Sequence, residues 1–431
     1  MIIEFSVQNF GPIKEKQVLS FEPEKSSHLE DYYLIKAAPG LKLLKLGLIY
    51  GPNASGKTTI LKALDFLRNL VLEPAEKKTN TLNFEPFLLD AKTPAQHTQL
   101  SISFIQKNVR YHYVVEFNKK SIVREQLDFY DPKKANVFVR ETDIKNQFST
   151  ITFGSKLKGM AASEKALTAN TLWNNTVLGG FLKTNIECRE LQDATDWFKN
   201  YLKPIVLPKT NLEDYVTSLI DRAEVNKNHV LQILKNADFN ISDIIIDKQK
   251  AAVPEGLWEY FVEKGSVSKE RIIELKQKET ITILNLAFEH TVKNKKYRLP
   301  DNAESRGTMR YYGFAGLMSM LINSSKAIPI DELEASLHPD LFVHFLLTFL
   351  MNSKKSQIIA TTHNREILNN KDIFRNDTIW FTDKSEDSAT KLYSLADFDS
   401  SVIRDTSNVY NAYKIGKLGA VPDLGDFQLS E

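Results

Sequence analysis

One eight-residue segment constrains the fold of this chain more than any other. Residues 51–58 read Gly-Pro-Asn-Ala-Ser-Gly-Lys-Thr and fit the pattern G-x-x-x-x-G-K-[ST] at every fixed position. The apolar run at 46–50 predicts a buried strand before the segment, and the apolar spacing in 59–70 predicts a helix after it. Because a glycine-rich loop between a buried strand and a helix presents backbone N–H groups to phosphates, the chain is predicted to bind a nucleoside triphosphate.

The pattern also predicts what the individual loop residues do. Lys57 is expected to reach the β- and γ-phosphates, and the Thr58 hydroxyl is expected to take one position on Mg²⁺. The residues predicted to contact the nucleotide in this part of the chain are Gly51, Pro52, Asn53, Ala54, Ser55, Gly56, Lys57, Thr58 and Thr59.

Composition narrows the class of protein. The chain has 431 residues, enough for two or three domains, and its 42% hydrophobic and 26% charged residues are typical of globular proteins. A net charge of +2 gives no overall attraction for nucleic acid. Cys188 is the single cysteine, which excludes an intramolecular disulfide framework. The first residues do not resemble a signal peptide, and the longest apolar run is too short to span a bilayer, so we expect a cytoplasmic protein outside the membrane.

Strand and helix patterns divide the chain into three regions. Residues 1–127 are predicted to hold the phosphate loop and several closely spaced antiparallel strands. Residues 128–300 are predicted to form a partly helical insertion, with a helix over 212–236 and a strand over 272–278. In residues 301–431 strands alternate with helices, which favours a mostly parallel sheet completed by the loop strand. The predicted fold class is therefore α/β: a mixed sheet with flanking helices, an added antiparallel sheet and a helical insertion.

An acidic pair supplies the chemistry that a phosphate loop lacks. Asp331 and Glu332 follow a short apolar strand, and parallel α/β sheets bind ligands at the carboxyl ends of their strands. Asp331 is expected to hold Mg²⁺, and Glu332 to orient or deprotonate the attacking water. His363 ends another apolar strand and is expected to donate to the γ-phosphate. Pro329 conflicts with this strand prediction, because proline lacks a backbone N–H and the strand is predicted to be interior.

In this order the segments resemble the ABC-type ATPase fold of SMC, RecF-like and OLD-like proteins. The corresponding segments are 51–58 for Walker A, Glu304-Ser305-Arg306-Gly307-Thr308 for the signature, 328–332 for Walker B, Ser336-Leu337-His338-Pro339 for the D-loop and His363 for the switch histidine.

Two further segments bring the chain closer to one group within this fold. Thr-Thr-His-Asn at 361–364 and the ending Lys-Ile-Gly-Lys-Leu-Gly-Ala-Val-Pro at 414–422 are similar to those of OLD-like bacterial ATPases, of the RloA and AriA type known from phage-defence systems such as PARIS. Two positions depart from the family pattern or stay open. Arg306 replaces the second glycine of the signature, and the Q-loop glutamine stays unassigned, with Gln96 and Gln99 as candidates by position alone.

The resemblance implies a mechanism and partners. Two chains would enclose two ATP molecules with Mg²⁺, with Ser305 and Gly307 of one chain meeting the γ-phosphate bound by the other. It implies a homodimer, or a higher homo-oligomer built of such dimers, that hydrolysis would loosen. It further implies a regulatory ATPase of antiviral defence, a sensor or scaffold controlling a separate toxin or nuclease encoded nearby, with DNA or a phage protein as trigger.

Two other functions stay open. The chain could be a DNA repair or structural ATPase like RecF or SMC proteins, although it lacks the heptad pattern of an SMC arm. The basic segment 293–298 is either a solvated strand edge or a nucleic-acid contact. A peripheral ATPase subunit of a transporter is the third reading, which the non-standard signature and the large insertion disfavour.

Overall fold

The computed structural model describes residues 1–252, 280–398 and 409–422. The strand predicted over 272–278 lies outside these residues. The strands are β1 (Ile2–Gln8), β2 (Gln17–Ser20), β3 (Leu34–Ala38), β4 (Leu41–Leu44), β5 (Leu46–Tyr50), β6 (Thr98–Gln106), β7 (Val109–Phe117), β8 (Ile122–Tyr130), β9 (Lys134–Asp143), β10 (Phe148–Phe153), β11 (Asp243–Ala252), β12 (Thr280–Val292), β13 (Lys295–Pro300), β14 (Ala327–Ile330), β15 (Gln357–Thr361), β16 (Ile379–Lys384) and β17 (Thr390–Ser394). The α-helices are α1 (Glu30–Tyr33), α2 (Lys57–Leu72), α3 (Ala161–Asn170), α4 (Val177–Phe181), α5 (Arg189–Asp196), α6 (Leu212–Asp221), α7 (Lys227–Asn236), α8 (Arg306–Asn323), α9 (Pro339–Asn352) and α10 (Val409–Lys414).

The described chain forms two compact units. The first contains residues 1–210 together with the described residues from 321 onward, and the second contains the described residues of 211–320. The predicted insertion boundary at residue 128 falls inside β8, whose neighbours β9 and β10 continue the same antiparallel sheet. The second unit is accordingly shorter than the predicted insertion of 128–300, because that sheet and α3 to α5 belong to the first unit.

A five-stranded sheet lies at the centre of the first unit. Its strand order is β14-β15-β5-β16-β17, and all pairs are parallel except β16 with β17. Strand β5 is buried at every residue, and both of its neighbours come from the C-terminal third of the chain. The N- and C-terminal segments therefore complete one mostly parallel sheet, as the alternation of strands and helices predicts.

A seven-stranded antiparallel sheet forms the second layer of this unit. Its order is β10-β9-β8-β7-β6-β1-β2, and β2 returns against β1. Helix α2 packs between the two sheets and contacts β1 on one side and β14 and β15 on the other. The apolar residues of α2 at helical spacing are buried in the shared core: Ile60, Leu61, Leu64, Leu67 and Leu70. The added antiparallel sheet is thus joined to the phosphate loop through the helix that follows the loop.

Strand β14 lies at an edge of the parallel sheet, whereas the sequence predicted an interior strand. On its outer side, isolated bridges join Leu202 to Ala327 and Val206 to Ile330. The Pro329 carbonyl oxygen accepts from Val206 N–H at 2.9 Å. Because the outer segment pairs with β14 through isolated bridges, the N–H that proline lacks does not interrupt a continuous ladder.

The second unit combines helices with a small sheet. Strands β11, β12 and β13 form an antiparallel sheet, and α8 packs against α6. A Cβ at Gly313 would lie 2.5 Å from Leu212 Cβ, and one at Gly316 would lie 2.3 Å from Val216 Cγ1, so these glycines allow the close approach. The single helix predicted over 212–236 is two helices, because the Asn226 side chain accepts from two backbone N–H groups and starts α7.

Candidate active site

The loop between β5 and α2 needs glycine at both ends. Gly56 has φ +99°, a conformation that favours glycine, and a Cβ there would lie 2.2 Å from Thr390 Oγ1. A Cβ at Gly51 would lie 2.4 Å from Thr382 Oγ1. Helix α2 begins at Lys57, so the loop leads directly into a helix N-terminus, where backbone N–H groups are free to bind an anion.

Two threonines of the β16–β17 hairpin hold this loop in place. Thr390 Oγ1 donates to the Ser55 carbonyl at 2.9 Å, and Thr382 Oγ1 donates to the Tyr50 carbonyl at 3.2 Å. The hydroxyls of Ser55 and Thr382 are 2.6 Å apart. Sequence reasoning missed both threonines, since single hydroxyl residues in a strand have no fixed spacing from the loop that they contact.

The Lys57 side chain crosses back over the first half of the loop. Its Nζ donates to the carbonyl oxygens of Gly51 and Pro52, both at 2.9 Å. Burial lowers the pKa of Lys57, while the nearby carboxylates of Asp331 and Glu332 act in the opposite direction. The lysine of this pattern is predicted to serve the β- and γ-phosphates, which would then lie beside Gly51 and Pro52.

The structure brings the predicted metal-binding residues into contact. Thr58 Oγ1 donates to Asp331 Oδ1 at 2.9 Å, and Thr361 Oγ1 donates to the same oxygen at 2.7 Å. The Asp331 N–H donates to the Val206 carbonyl, so the backbone that carries this carboxylate is fixed at the sheet edge. Thr361 is a further residue of the site that sequence reasoning did not single out.

Glu332 extends from a constrained turn directly after Asp331. Its φ is +47°, which is uncommon for a residue with a side chain, and its N–H donates to Thr361 Oγ1 at 2.8 Å. The side chain itself is exposed. The same threonine hydroxyl therefore orients both acidic residues, one through its carboxylate and the other through its backbone.

His363 follows β15, and its backbone N–H donates to Glu334 Oε1 at 2.5 Å. Desolvation by the surrounding protein lowers the pKa of the imidazole, and the positive charge of Lys57 lowers it further. His363 is exposed to solvent and lines the same cavity as Gly51, Pro52 and Asn53, so the histidine lies beside the loop. Glu334 had no predicted role, although it lies only two residues beyond Glu332.

The oxygen ligands around Asp331 fit Mg²⁺. Magnesium prefers oxygen and is usually held by one or two carboxylates together with substrate phosphates and water. Asp331 supplies the carboxylate and Thr58 the hydroxyl, which are the ligand types required. Among the described residues, no group of three or more His, Cys, Asp or Glu side chains could hold a metal ion without a substrate.

The signature segment lies in the second unit. Ser305 precedes α8, and its Oγ accepts from the Thr308 N–H at 3.0 Å, which is the geometry of an N-cap. Gly307 is in the first turn of the same helix, and Ser305 is exposed. The structure thus places both predicted signature residues at the N-terminus of an 18-residue helix.

The phosphate loop, the acidic pair and the histidine follow three adjacent strands of the parallel sheet. Comparison with known protein families identifies the class of this protein. The AAA ATPase domain family matches residues 1–368. The chain belongs to this family. The match covers the phosphate loop of this ATPase domain, the signature segment, Asp331, Glu332 and His363.

Three solved structures that match this chain are heads of SMC proteins. The Smc head bound to the C-winged helix domain of ScpA is 13% identical, with a TM-score of 0.44 and coverage of 94% of this chain and 99% of that one. The SMC head domain from Thermotoga maritima is 12% identical, with a TM-score of 0.39 and coverage of 91% of this chain and 98% of that one. The Smc head with an extended coiled coil bound to the C-terminal domain of ScpA, derived from Pyrococcus furiosus, is 14% identical. Its TM-score is 0.35, and the match covers 97% of this chain and 98% of that one. A comparison with curated proteins gave no match. In the described part of the ATPase, no helix is long and apolar enough to cross a membrane.

Proposed function

We propose that this ATPase domain hydrolyses ATP with Mg²⁺ at the site formed by loop 51–58, Asp331, Glu332 and His363. The observation that carries the proposal is the contact of the Thr58 hydroxyl with Asp331 Oδ1. It joins the residue that follows the loop lysine to the first residue of the acidic pair, which is the arrangement that a phosphate-bound Mg²⁺ needs.

Each residue then has a defined task. Lys57 balances the negative charge of the β- and γ-phosphates, and Thr58 with Asp331 would hold Mg²⁺, which supplies further charge neutralisation when bound. Glu332 extends into solvent from its fixed turn and can orient a water molecule and accept its proton. His363, held neutral near pH 7 by its lowered pKa, can donate one ring N–H to the γ-phosphate.

Nucleotide binding tests this proposal directly. Lys57→Ala removes the loop ammonium and should weaken ATP binding by about ten-fold or more, the loss of one contact between charged groups. Lys62→Ala, an exposed position on the same helix, is the matched control and should bind ATP as the parent chain does. Isothermal titration with Mg²⁺ and ATP gives both affinities. Equal affinities for the parent and Lys57→Ala would refute the site.

We also propose that two chains dimerise around ATP, with Ser305 and Gly307 completing the site of the partner chain. The exposed position of Ser305 at the start of α8 supports this, because a helix N-terminus favours an anion. Ser305→Arg and Lys57→Ala should each be inactive alone. Mixed and allowed to exchange, they should regain about a quarter of the parental rate, since half of randomly paired dimers are mixed and each has one complete site. Absence of any recovery would contradict completion in trans.

For the biological role we propose a sensor or scaffold subunit of a bacterial anti-phage defence system, controlling a separate toxin or nuclease encoded nearby. The motif combination at 304–308, 331–339, 361–364 and 414–422 supports this assignment. DNA or a phage protein would serve as the trigger. Purification of the tagged chain from its native host should recover a neighbouring gene product, in a complex whose mass light scattering can determine. Recovery of the homo-oligomer alone would count against an effector.

A RecF- or SMC-like role in DNA binding is the alternative, and the basic segment 293–298 bears on it. Lys296 pairs with Glu289 at 2.9 Å, and Arg298 pairs with Asp247. These ion pairs reduce the charge available to a phosphate backbone and favour a strand-edge role for the segment. ATP turnover that rises with duplex DNA, together with binding that weakens steeply with salt, would favour the alternative.

A further inference from the structure

A cavity of about 680 Å³ opens beside the first half of the phosphate loop, within the first unit. Gly51, Pro52 and Asn53 line one side of it, and His363 and Arg365 line another. Lys57 Nζ binds the carbonyls of Gly51 and Pro52, so the cavity adjoins the end of the loop assigned above to the β- and γ-phosphates.

Arg365 brings a positive charge to this cavity. Across residues 1–252, 280–398 and 409–422, no carboxylate forms an ion pair with its guanidinium group. The group instead lies over the ring of Tyr413, 5.0 Å from the ring centroid. A cation held on an aromatic face keeps its N–H donors at the ring edge, where they can bind a phosphate in a bidentate manner.

Residues 409–422, here called the terminal segment, hold the ring of Tyr413 in place under Arg365. The buried Tyr413 ring packs on Phe381 with centroids 5.2 Å apart, and its hydroxyl donates to the Ala420 carbonyl at 2.9 Å. The Ala420 N–H donates to Asp383 Oδ2 at 2.9 Å. Asp383 is thereby occupied by the terminal segment, although it also lines the cavity.

We propose that Arg365, held by Tyr413 of the terminal segment, binds the terminal phosphate of ATP in the same chain. The inference rests on the proposed function and adds a residue to it that none of the sequence patterns includes. Arg365 then discriminates ATP from ADP, because only the triphosphate extends to the end of the loop that this cavity adjoins. The segment 414–422, which the catalytic scheme leaves without a task, serves to position this arginine.

The test measures the affinities of the full chain for AMP-PNP and ADP, each with Mg²⁺, by competition with a fluorescent nucleotide. Arg365→Ala should weaken AMP-PNP binding by about ten-fold or more and change ADP binding by less than about two-fold, as expected for one lost contact to a charged group. Arg365→Lys keeps the charge without the planar donors, and its affinity for AMP-PNP should lie between those of the parent chain and Arg365→Ala. Arg110→Ala is the matched control, since Arg110 lies 5.2 Å over Tyr130 in the antiparallel sheet.

Variants of Tyr413 distinguish its positioning of Arg365 from a general effect on the stability of the protein. Tyr413→Phe keeps the ring and should preserve the preference for AMP-PNP, whereas Tyr413→Leu removes the ring and should reduce it. Equal weakening of AMP-PNP and ADP by Arg365→Ala, or no weakening of either, would overturn the proposal. If the parent chain binds neither nucleotide, the proposed function fails instead, and the two failures are therefore distinguishable.

Discussion

The Thr58 hydroxyl donates to Asp331 Oδ1 at 2.9 Å across a sequence separation of 273 residues. Thr361 donates to the same carboxylate oxygen, so the Asp331 side chain is oriented from the loop helix and from β15. A carboxylate held by two hydroxyls needs little reorganisation to bind a metal, which is the condition for efficient electrostatic stabilisation.

Asp331→Asn should lower the hydrolysis rate by about 100-fold, because the amide keeps the shape of the side chain but loses the charge that holds Mg²⁺. Phosphate release measured over a range of Mg²⁺ concentrations should also show a higher Mg²⁺ requirement. The control is Asp372→Asn, an exposed aspartate, which should behave as the parent chain does. Parental activity in Asp331→Asn would show that this carboxylate does not serve the metal.

Glu332→Gln should reduce turnover by about 100-fold or more while leaving ATP binding intact, as expected when a general base is removed. Its backbone bond to Thr361 does not depend on the side chain, so the turn itself should survive the change. Light scattering with ATP should show a persistent dimer, and Glu366→Gln, at an exposed position, should not. Turnover at the parental rate would exclude Glu332 as the residue that activates water.

The pKa of His363 should lie below about 6.5, its value in an unfolded chain. Desolvation and Lys57 both disfavour the charged form in the folded protein. As pH falls through 6.5 the unfolded state therefore binds the proton first, and the parent should lose unfolding free energy that His363→Gln does not lose. NMR titration of the imidazole measures the pKa directly, and bound ATP should raise it because the added charge is negative. A pKa above 6.5 in the nucleotide-free protein would contradict the surroundings described for His363.

Gly56→Ala should destabilise the first unit by about 1–3 kcal/mol, because it combines an unfavourable φ with a clash against Thr390. Gly40→Ala is a matched control: Gly40 also has a positive φ, +76°, but a Cβ there would meet nothing within 4 Å. Urea unfolding should show the larger loss for Gly56→Ala. Equal losses would mean that backbone strain alone matters and that the hairpin does not support the loop.

The residues that sequence reasoning could identify are those whose chemistry requires a fixed residue type at a fixed spacing. The loop residues from Gly51 to Thr58 and the pair Asp331–Glu332 are of this kind, and the structure brings Lys57, Thr58 and Asp331 together. Thr390 and Arg365 could not be found in this way. Thr390 bonds to the loop and Arg365 lines the cavity beside it only because the fold joins distant segments, and in the sequence such a threonine or arginine looks like any surface residue.

The edge position of β14 was hidden for a related reason. Its outer neighbour, the segment 202–206, contains Lys203 and Pro204 and has no strand pattern, so nothing marked the end of the sheet. Strands β9 and β10 follow β8 without a helix between them and continue the antiparallel sheet beyond residue 128.

The position of β5 has a consequence for biosynthesis. This strand is synthesised well before its two neighbours, β15 and β16, which are translated only after residue 356. Until then a fully apolar strand has no edge to pair with, and pairings over such sequence distances are slow to form. Between the synthesis of β5 and that of β15 the nascent chain therefore carries an unpaired apolar strand, a segment prone to aggregation.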